Sequence, residues 1–419
     1  MPEKNHKILV LAESIDVDDS SGSKANVAFI RNLKRDGFHL EVCHYTRKEI
    51  KLDGITCISI KENRRSLLFI LSRIERYFRY WFNLSLSKPI ESVFGFSFTL
   101  FNDRNSILTF IRNRKSFEPD LVLTLSKGAS FRPHHALLKY PRWHSKWMAY
   151  IHDPYPFASY PRPYDFVESG HQQKRKFFLK LAGKTAYAAY PSKLLAEWME
   201  SYYNPLKGKA VIIPHQVNPS EPLMTGLPGY FRKDAFTIVH AGALMNARNP
   251  LGLIRAFKRF LAENPKAGGH SQLLFLGKKS IYTKKFLQVK EALPQLYSSN
   301  EYIPFSTILL IQHFAAINVI LEAKGAISPF LPGKFPHCIQ AGKPILLLGP
   351  PCSESRRLLG PQYPWYSEID DEEKICKILS SLYSNWLEGK GSGYSEELHY
   401  YLSFKYLQQV MNQVVENTK

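Results

Sequence analysis

The chain has 419 residues, of which 44% are hydrophobic and 22% charged, a balance that supports packed cores and excludes a wholly disordered chain. At about 150 residues per domain, two to three domains are expected and a mini-protein is ruled out. Lys and Arg number 56 against 36 Asp and Glu, leaving a net charge of +20 that favours anionic partners: phosphorylated small molecules, anionic lipid or nucleic acid.

The segment MPEKNHKILVLAES holds an apolar run only from Ile8 to Ala12, too short for a signal peptide and suited to a strand. The loop DVDDSSGSKAN follows, and VAFIRNLKRDG carries a helical pattern stopped by Gly37, completing a β-loop-α unit. FHLEVCHYT and GITCISI continue as strands. The segment ENRRSLLFILSRIERYFRYWFNLSLSKP sets Leu67, Ile70, Leu71, Ile74, Tyr77, Phe78 and Trp81 at helical spacing, punctuated by Arg65, Arg73, Arg76 and Arg79. Two arrangements satisfy that pattern: an interfacial helix lying on anionic lipid, or a helix packed on the first sheet with its arginines in water. PDLVLTLSKG and WMAYIHDPYPF then read as buried strands ending in polar loops.

Between AVIIPHQ and FTIVHAG, Pro219, Pro222, Gly226, Pro228 and Gly229 break any regular element, so a domain boundary is placed at 219–229. The α/β alternation then restarts: strand FTIVHAG, helix LGLIRAFKRFLAENP, strand SQLLFLGKK, helix KKFLQVKEAL, strands NEYIPF and AINVILEA, helix FPHCIQAGK and strand PILLLGP. The expectation is two doubly wound parallel-sheet α/β domains, residues 1–218 and 230–394, facing across a cleft. Leu398, Tyr401, Leu402, Tyr406, Leu407 and Val410 recur at helical intervals, so 395–419 is expected to pack back on the first domain as a helix.

Cys43, Cys57, Cys338, Cys352 and Cys376 are odd in number and include no C-x-x-C pair, which predicts a reduced, cytoplasmic chain without a zinc site. His134 and His135, or His39 and His44, bring no accompanying ligand set. No stretch approaches about 18 apolar residues, so no membrane-spanning helix is predicted.

The motifs richest in chemistry lie in the second half. In HAGALMNARNPLGLIRAF a strand ends at Gly242, the loop carries Arg248 and Asn249, and Pro250 opens a helix, a pattern suited to an anion. In SPFLPGKFPHCIQAGKPILLLGPPCSESRRLLG, Lys334 stands in a Pro-Gly loop before a helix, and Ser353 and Glu354 follow the next strand. Loops at the carboxyl ends of parallel strands converge on the crevice where open α/β sheets bind ligands.

The segments SSGSKANVAFIRNLKRDGFHLEV, IHDPYPF, YPSKLLAEWM, IIPHQ, GALMNARNP, FLPGKF and QAGKPIL occur in that order over most of residues 7–360. With them the chain resembles the family 4 glycosyltransferases of the two-Rossmann-domain (GT-B) type, especially bacterial enzymes of surface-glycan synthesis. The resemblance implies sugar transfer from a nucleoside-diphosphate sugar to a glycan or lipid-linked acceptor, with retention of configuration and no cofactor or bound metal. It places Arg248 and Lys334 at the donor diphosphate, Gly22 where backbone nears the reacting end of the donor, and His152, followed by Asp153, near the transferred sugar. Gly242, Asn249, His337, Ser353 and Glu354 complete the expected donor site. A lipid-linked acceptor would bring the protein to the inner face of a membrane through Arg65, Arg73, Arg76 and Arg79.

The chain departs from that family at two glutamates eight positions apart, which are Pro329 and His337 here, and at the basic residue after the donor-loop glycine, which is Ala243. A sugar-nucleotide epimerase or a catalytically silent binding protein of the same fold is therefore an alternative. The tripeptide Asp16-Val17-Asp18, with Asp19, spells the metal motif of the other major glycosyltransferase fold, but it follows the first strand directly and reads as a solvated turn. Nucleic-acid binding has the charge in its favour, yet the basic residues are scattered and no zinc finger or RRM signature is present, so no nucleic-acid partner is expected.

Overall fold

The computed structural model describes residues 6–83, 86–114, 117–218, 226–391 and 393–418. The chain forms two compact units, one comprising Met1–Tyr160, Tyr164–Pro219 and Leu402–Lys419, the other Pro161–Pro163 and Ser220–Tyr401. Of the boundary segment 219–229, residues 219–225 lie outside the described residues.

The first unit is built on β1 (Lys7–Ala12), β2 (His39–His44), β3 (Thr56–Ser59), β4 (Leu121–Leu125), β5 (Trp147–Tyr150), β6 (Tyr187–Tyr190) and β7 (Ala210–Ile212). They pair in parallel in the order β3-β2-β1-β4-β5-β6-β7. A parallel sheet must be covered on both faces, and β1 shows how. Ile8, Val10 and Ala12 pack with Val27 and Ile30 of α1 (Ser21–Arg35) and with Leu407, Met411 and Val415 of the C-terminal helix Phe404–Asn417. Leu9 and Leu11 point to the opposite cluster, around Trp147 and Phe178. α1 starts where the Ser20 hydroxyl accepts from the Ser23 N–H, and it ends with Lys34 and Arg35 beside its free carbonyls. Three helices, α2 (Leu67–Trp81), α3 (Ser87–Phe94) and α4 (Phe98–Asn113), lie between β3 and β4 in the chain, and α2 rests on α4.

The second unit has β8 (Phe236–Ala241), β9 (Ser271–Leu276), β10 (Leu296–Ser298), β11 (Ile317–Leu321), β12 (Ile327–Ser328), β13 (Ile345–Leu348), β14 (Cys352–Ser353) and β15 (Tyr366–Ser367). Six form a parallel sheet, β10-β9-β8-β11-β13-β15, and β12 pairs with β14. Phe236, Ile238, Leu273 and Phe275 line one face, while Val239, Ala241, Leu274 and Leu276 line the other. Both units are thus Rossmann-like, with strand order reversing between β1 and β4 in the first and between β8 and β11 in the second.

Two sequence expectations are corrected. The stretch 395–419 is two helices, Glu396–Tyr401 and Phe404–Asn417, and only Leu402–Lys419 belongs to the first unit. The strand proposed at NEYIPF (300–305) is absent, and β10 lies earlier, at Leu296–Ser298. Leu296 is buried and anchors the pairing with β9, whereas Asn300 turns into the left-handed region at φ 55° and Pro304 has no N–H to donate. Phe305 then begins a helix instead of closing a strand.

Candidate functional site

In the second unit, the reversal between β8 and β11 places two loop entries side by side at the carboxyl ends of those strands. β8 is followed directly by Gly242, whose φ of 130° is open to glycine and strained for other residues. Lys334, just ahead of the helix Phe335–Gln340, points its ammonium at this spot, with Nζ 3.8 Å from the point a β-carbon on Gly242 would occupy and 3.5 Å from the Val319 carbonyl of β11. Arg248 is half-buried in the β8 loop, and its Nε is buried without a hydrogen-bond partner. His240, the penultimate residue of β8, is buried beneath them.

The electrostatics follow from this crowding. Burial pushes the Lys334 ammonium down to about 7, and the Arg248 charge pushes in the same direction while the Cys338 thiol opposes it. His240 is held well below its ordinary value by burial first and then by Lys334 and Arg248. Cationic groups drawn this close repel one another and gain from an anion placed among them.

Sequence reasoning missed Glu322. It follows β11 directly, is buried, accepts from the Ser355 hydroxyl at 2.6 Å, and crowds Gly349, where a β-carbon would stand 2.9 Å from the Glu322 Cβ. Burial raises its carboxyl to about 7 against the opposing pull of Ser355, Ser328, Ser353 and the Arg248 charge. The β12–β14 pairing sets Ser328 opposite Ser353 for this purpose.

The other expected donor residues are distributed unevenly. Ser353 caps the helix Glu354–Leu359 by accepting from the Arg356 N–H. Glu354 is buried but turned to Arg357, with contacts of 2.6 and 3.0 Å. Asn249 accepts from the Leu251 N–H at 3.0 Å and so helps start the helix Leu251–Glu263. His337 packs its ring edge to face on Phe305, 5.0 Å between centroids.

In the first unit, Asn26 of α1 donates to the carbonyls of Ser14 and Ser126, tying together the chain beyond β1 and β4. Glu13, directly after β1, accepts from the Lys127 N–H, from Ser130 and from Arg132, whose guanidinium also reaches Asp103 at 2.7 Å. Gly22 lies in the first turn of α1, where a β-carbon would meet the Gly128 N at 3.4 Å. His152 follows β5 in a small recess shared with Asn26, Phe29, Tyr150 and His215. Its Nε2 is buried without a partner, and burial, with His215 and His134 adding to it, pushes the ring down to about 3. Asp153 beside it is half-buried. Asp16 and Asp19 are tied to Lys48 and Lys127 at 2.6 and 2.5 Å. Among the described residues, no group of three or more His, Cys, Asp or Glu side chains is placed to hold a metal ion.

No model of a known protein family matches the sequence, and no match is found among curated proteins. Solved structures do match over nearly the whole chain. HepE of Anabaena, in complex with UDP and glucose, is similar at a TM-score of 0.60 and 11% identity, covering 98% of this chain and 100% of its own. An E. coli trehalose-6-phosphate protein bound with UDP-2-fluoro glucose gives 0.56 and 11%, over 99% and 96%. The UDP-forming α,α-trehalose-phosphate synthase of Burkholderia vietnamiensis gives 0.56 and 11%, over 99% and 98%. At this identity the likeness establishes the fold, which is that of the GT-B glycosyltransferases.

Proposed function

We propose that the protein is a glycosyltransferase that holds the diphosphate of a nucleotide sugar at the carboxyl end of β8. The observation that carries this reading is the Lys334 ammonium aimed at Gly242 within the field of the Arg248 charge, with a buried guanidinium nitrogen that has no hydrogen-bond partner and a depressed ammonium. Breaking the bond between an anomeric carbon and phosphate leaves negative charge on the nucleoside diphosphate. Fixed positive groups that meet this charge as it develops lower the barrier more than they strengthen ground-state binding. The complexes of HepE with UDP and glucose and of the E. coli protein with UDP-2-fluoro glucose favour a uridine nucleotide as first candidate.

Transfer with retention to a glycan or lipid-linked acceptor, within surface-polysaccharide synthesis, belongs to the same proposal and rests on the sequence resemblance. In such a transfer the departing phosphate takes the acceptor proton. That suits His152, whose ring is neutral at pH 7 and far too weak a base to compete, so its role is to orient a hydroxyl by hydrogen bonding.

The test is calorimetry of UDP, GDP and their sugars against the full chain, followed by Arg248→Ala and Lys334→Ala. Each variant should lose tenfold or more in affinity for the diphosphate, at about 1.5–3 kcal/mol per charged hydrogen bond. Unchanged affinity in both removes the site.

A further inference from the structure

The orientation of α2 bears on the two arrangements that its sequence allows, because its apolar stripe points away from the protein. Residues 67, 70, 74, 77, 78 and 81 follow the i, i+3, i+7 spacing of one helix face. Leu67, Ile70, Ile74, Tyr77, Phe78 and Trp81 on that face are all exposed, Leu67 at 70% and Trp81 at 63%. The other face is the covered one, with Leu68, Phe69, Leu71 and Glu75 half-buried, Ser72 buried, and α4 packed against the helix. Phe82 continues the stripe past the helix end at 61%, and Val93 and Phe94 at the end of α3 add exposed apolar area of their own.

We infer that this α2–α3 surface docks on an anionic lipid bilayer, with α2 lying in the plane of the interface. Charge complementarity selects this occupant. Arg73, Arg76 and Arg79 are exposed along the same helix and Arg65 just before it, within a chain of net charge +20, and long arginine stems reach headgroup phosphates while the apolar stripe enters the acyl boundary. The Arg73 guanidinium already lies over the Phe69 ring, 4.6 Å from its centroid. Tyr77 and Trp81, 5.7 Å apart between ring centroids, are the amphipathic aromatics that settle at headgroup level. A second copy of the chain is a poorer occupant, because it brings the same net charge of +20 to the contact. The chain would lie on the bilayer without crossing it, since no helix among the described residues is long and apolar enough to span one. This inference goes beyond the donor chemistry and holds whatever the sugar or the reaction.

The experiment is flotation of the full chain with phosphatidylcholine vesicles, pure or carrying phosphatidylglycerol, in low and high salt. The wild type should float with the anionic vesicles at low salt and not with the zwitterionic ones. Arg73→Ser, Arg76→Ser and Arg79→Ser combined should weaken partitioning on the order of a hundredfold, at about fivefold per arginine. Vesicles with brominated acyl chains should quench Trp81 fluorescence, a signal lost in Trp81→Phe. Unchanged melting temperatures keep the variants informative, because every substituted side chain is exposed. Equal partitioning of wild type and triple variant overturns the inference, as does a concentration-dependent dimer in sedimentation velocity that Tyr77→Ser with Trp81→Ser dissolves.

Discussion

The Lys334 ammonium stands 3.8 Å from the point that a β-carbon on Gly242 would occupy, so a methyl group there would fill the space beside the charge that the proposed diphosphate would use. Gly242 also has φ 130°, which a side chain strains. Gly242→Ala should therefore cost about 1–2 kcal/mol of stability and at least tenfold in nucleotide-diphosphate affinity. Gly333→Ala, one residue from Lys334 with open space around its added carbon, is the control and should leave stability unchanged. Denaturant midpoints and calorimetry on the two variants decide it, and equal behaviour sinks the packing argument.

Lys334 should take up a proton when the donor binds. Its pKa of about 7 leaves most of it neutral at pH 8, and an arriving diphosphate raises that value. Calorimetry of a nucleotide sugar at pH 8, in buffers of different ionisation enthalpy, should show uptake approaching one proton. Lys334→Arg, which is always charged, should bind with no such uptake. The sign for folding is equally fixed: a lysine with a depressed pKa binds fewer protons folded than unfolded between pH 7 and 10.5, so its contribution to stability rises with pH across that window. Uptake by the arginine variant equal to that of the wild type would refute the assignment.

The sequence shows the strands and glycine-ended loops plainly, because consecutive buried residues such as Phe236–Ala241 need only local reading. Lys334 and Arg248 stand out for the same reason, each in a short loop between a strand and a helix. Glu322 does not, because its burial comes from Gly349 and from the serines of β12, β14 and the following helix, which are distant in the chain. The direction of the α2 stripe is equally hidden: periodicity reports that a helix has two faces, while the placement of α4 determines which one is covered. The strand misplaced at 300–305 was lost to a single left-handed backbone position, Asn300, that composition does not announce.

Glu322→Gln should stabilise the protein at pH 8. A carboxyl raised to about 7 when folded keeps a proton that the unfolded chain releases near 4.5, so folding loses stability as pH climbs from 4.5 through 7. Glutamine keeps an oxygen to accept from the Ser355 hydroxyl and carries no charge to bury. The variant should gain up to about 3 kcal/mol over the wild type at pH 8, and the gain should vanish below pH 4.5. Urea midpoints at both pH values measure it; a loss of stability at pH 8 would show that the charged form is held after all.

His152→Gln tests the neutral imidazole. With a folded value near 3, His152 binds fewer protons folded than unfolded between pH 3 and 6.5, so the stability it lends is complete above 6.5 and drains away as the pH falls. Glutamine removes that dependence. Between pH 7 and pH 5 the stability difference between wild type and variant should therefore move by about 2 kcal/mol in favour of the variant. If the ring orients a hydroxyl by hydrogen bonding, His152→Gln should also retain more transferase activity than His152→Ala, because the amide can donate and accept where a methyl cannot. A stability difference that does not change with pH, or a wild-type histidine resonance titrating near 6.5 that disappears in the variant, would mean that burial does not hold the His152 ring below its ordinary value, and the assignment of a ring too weak to act as a base would fall.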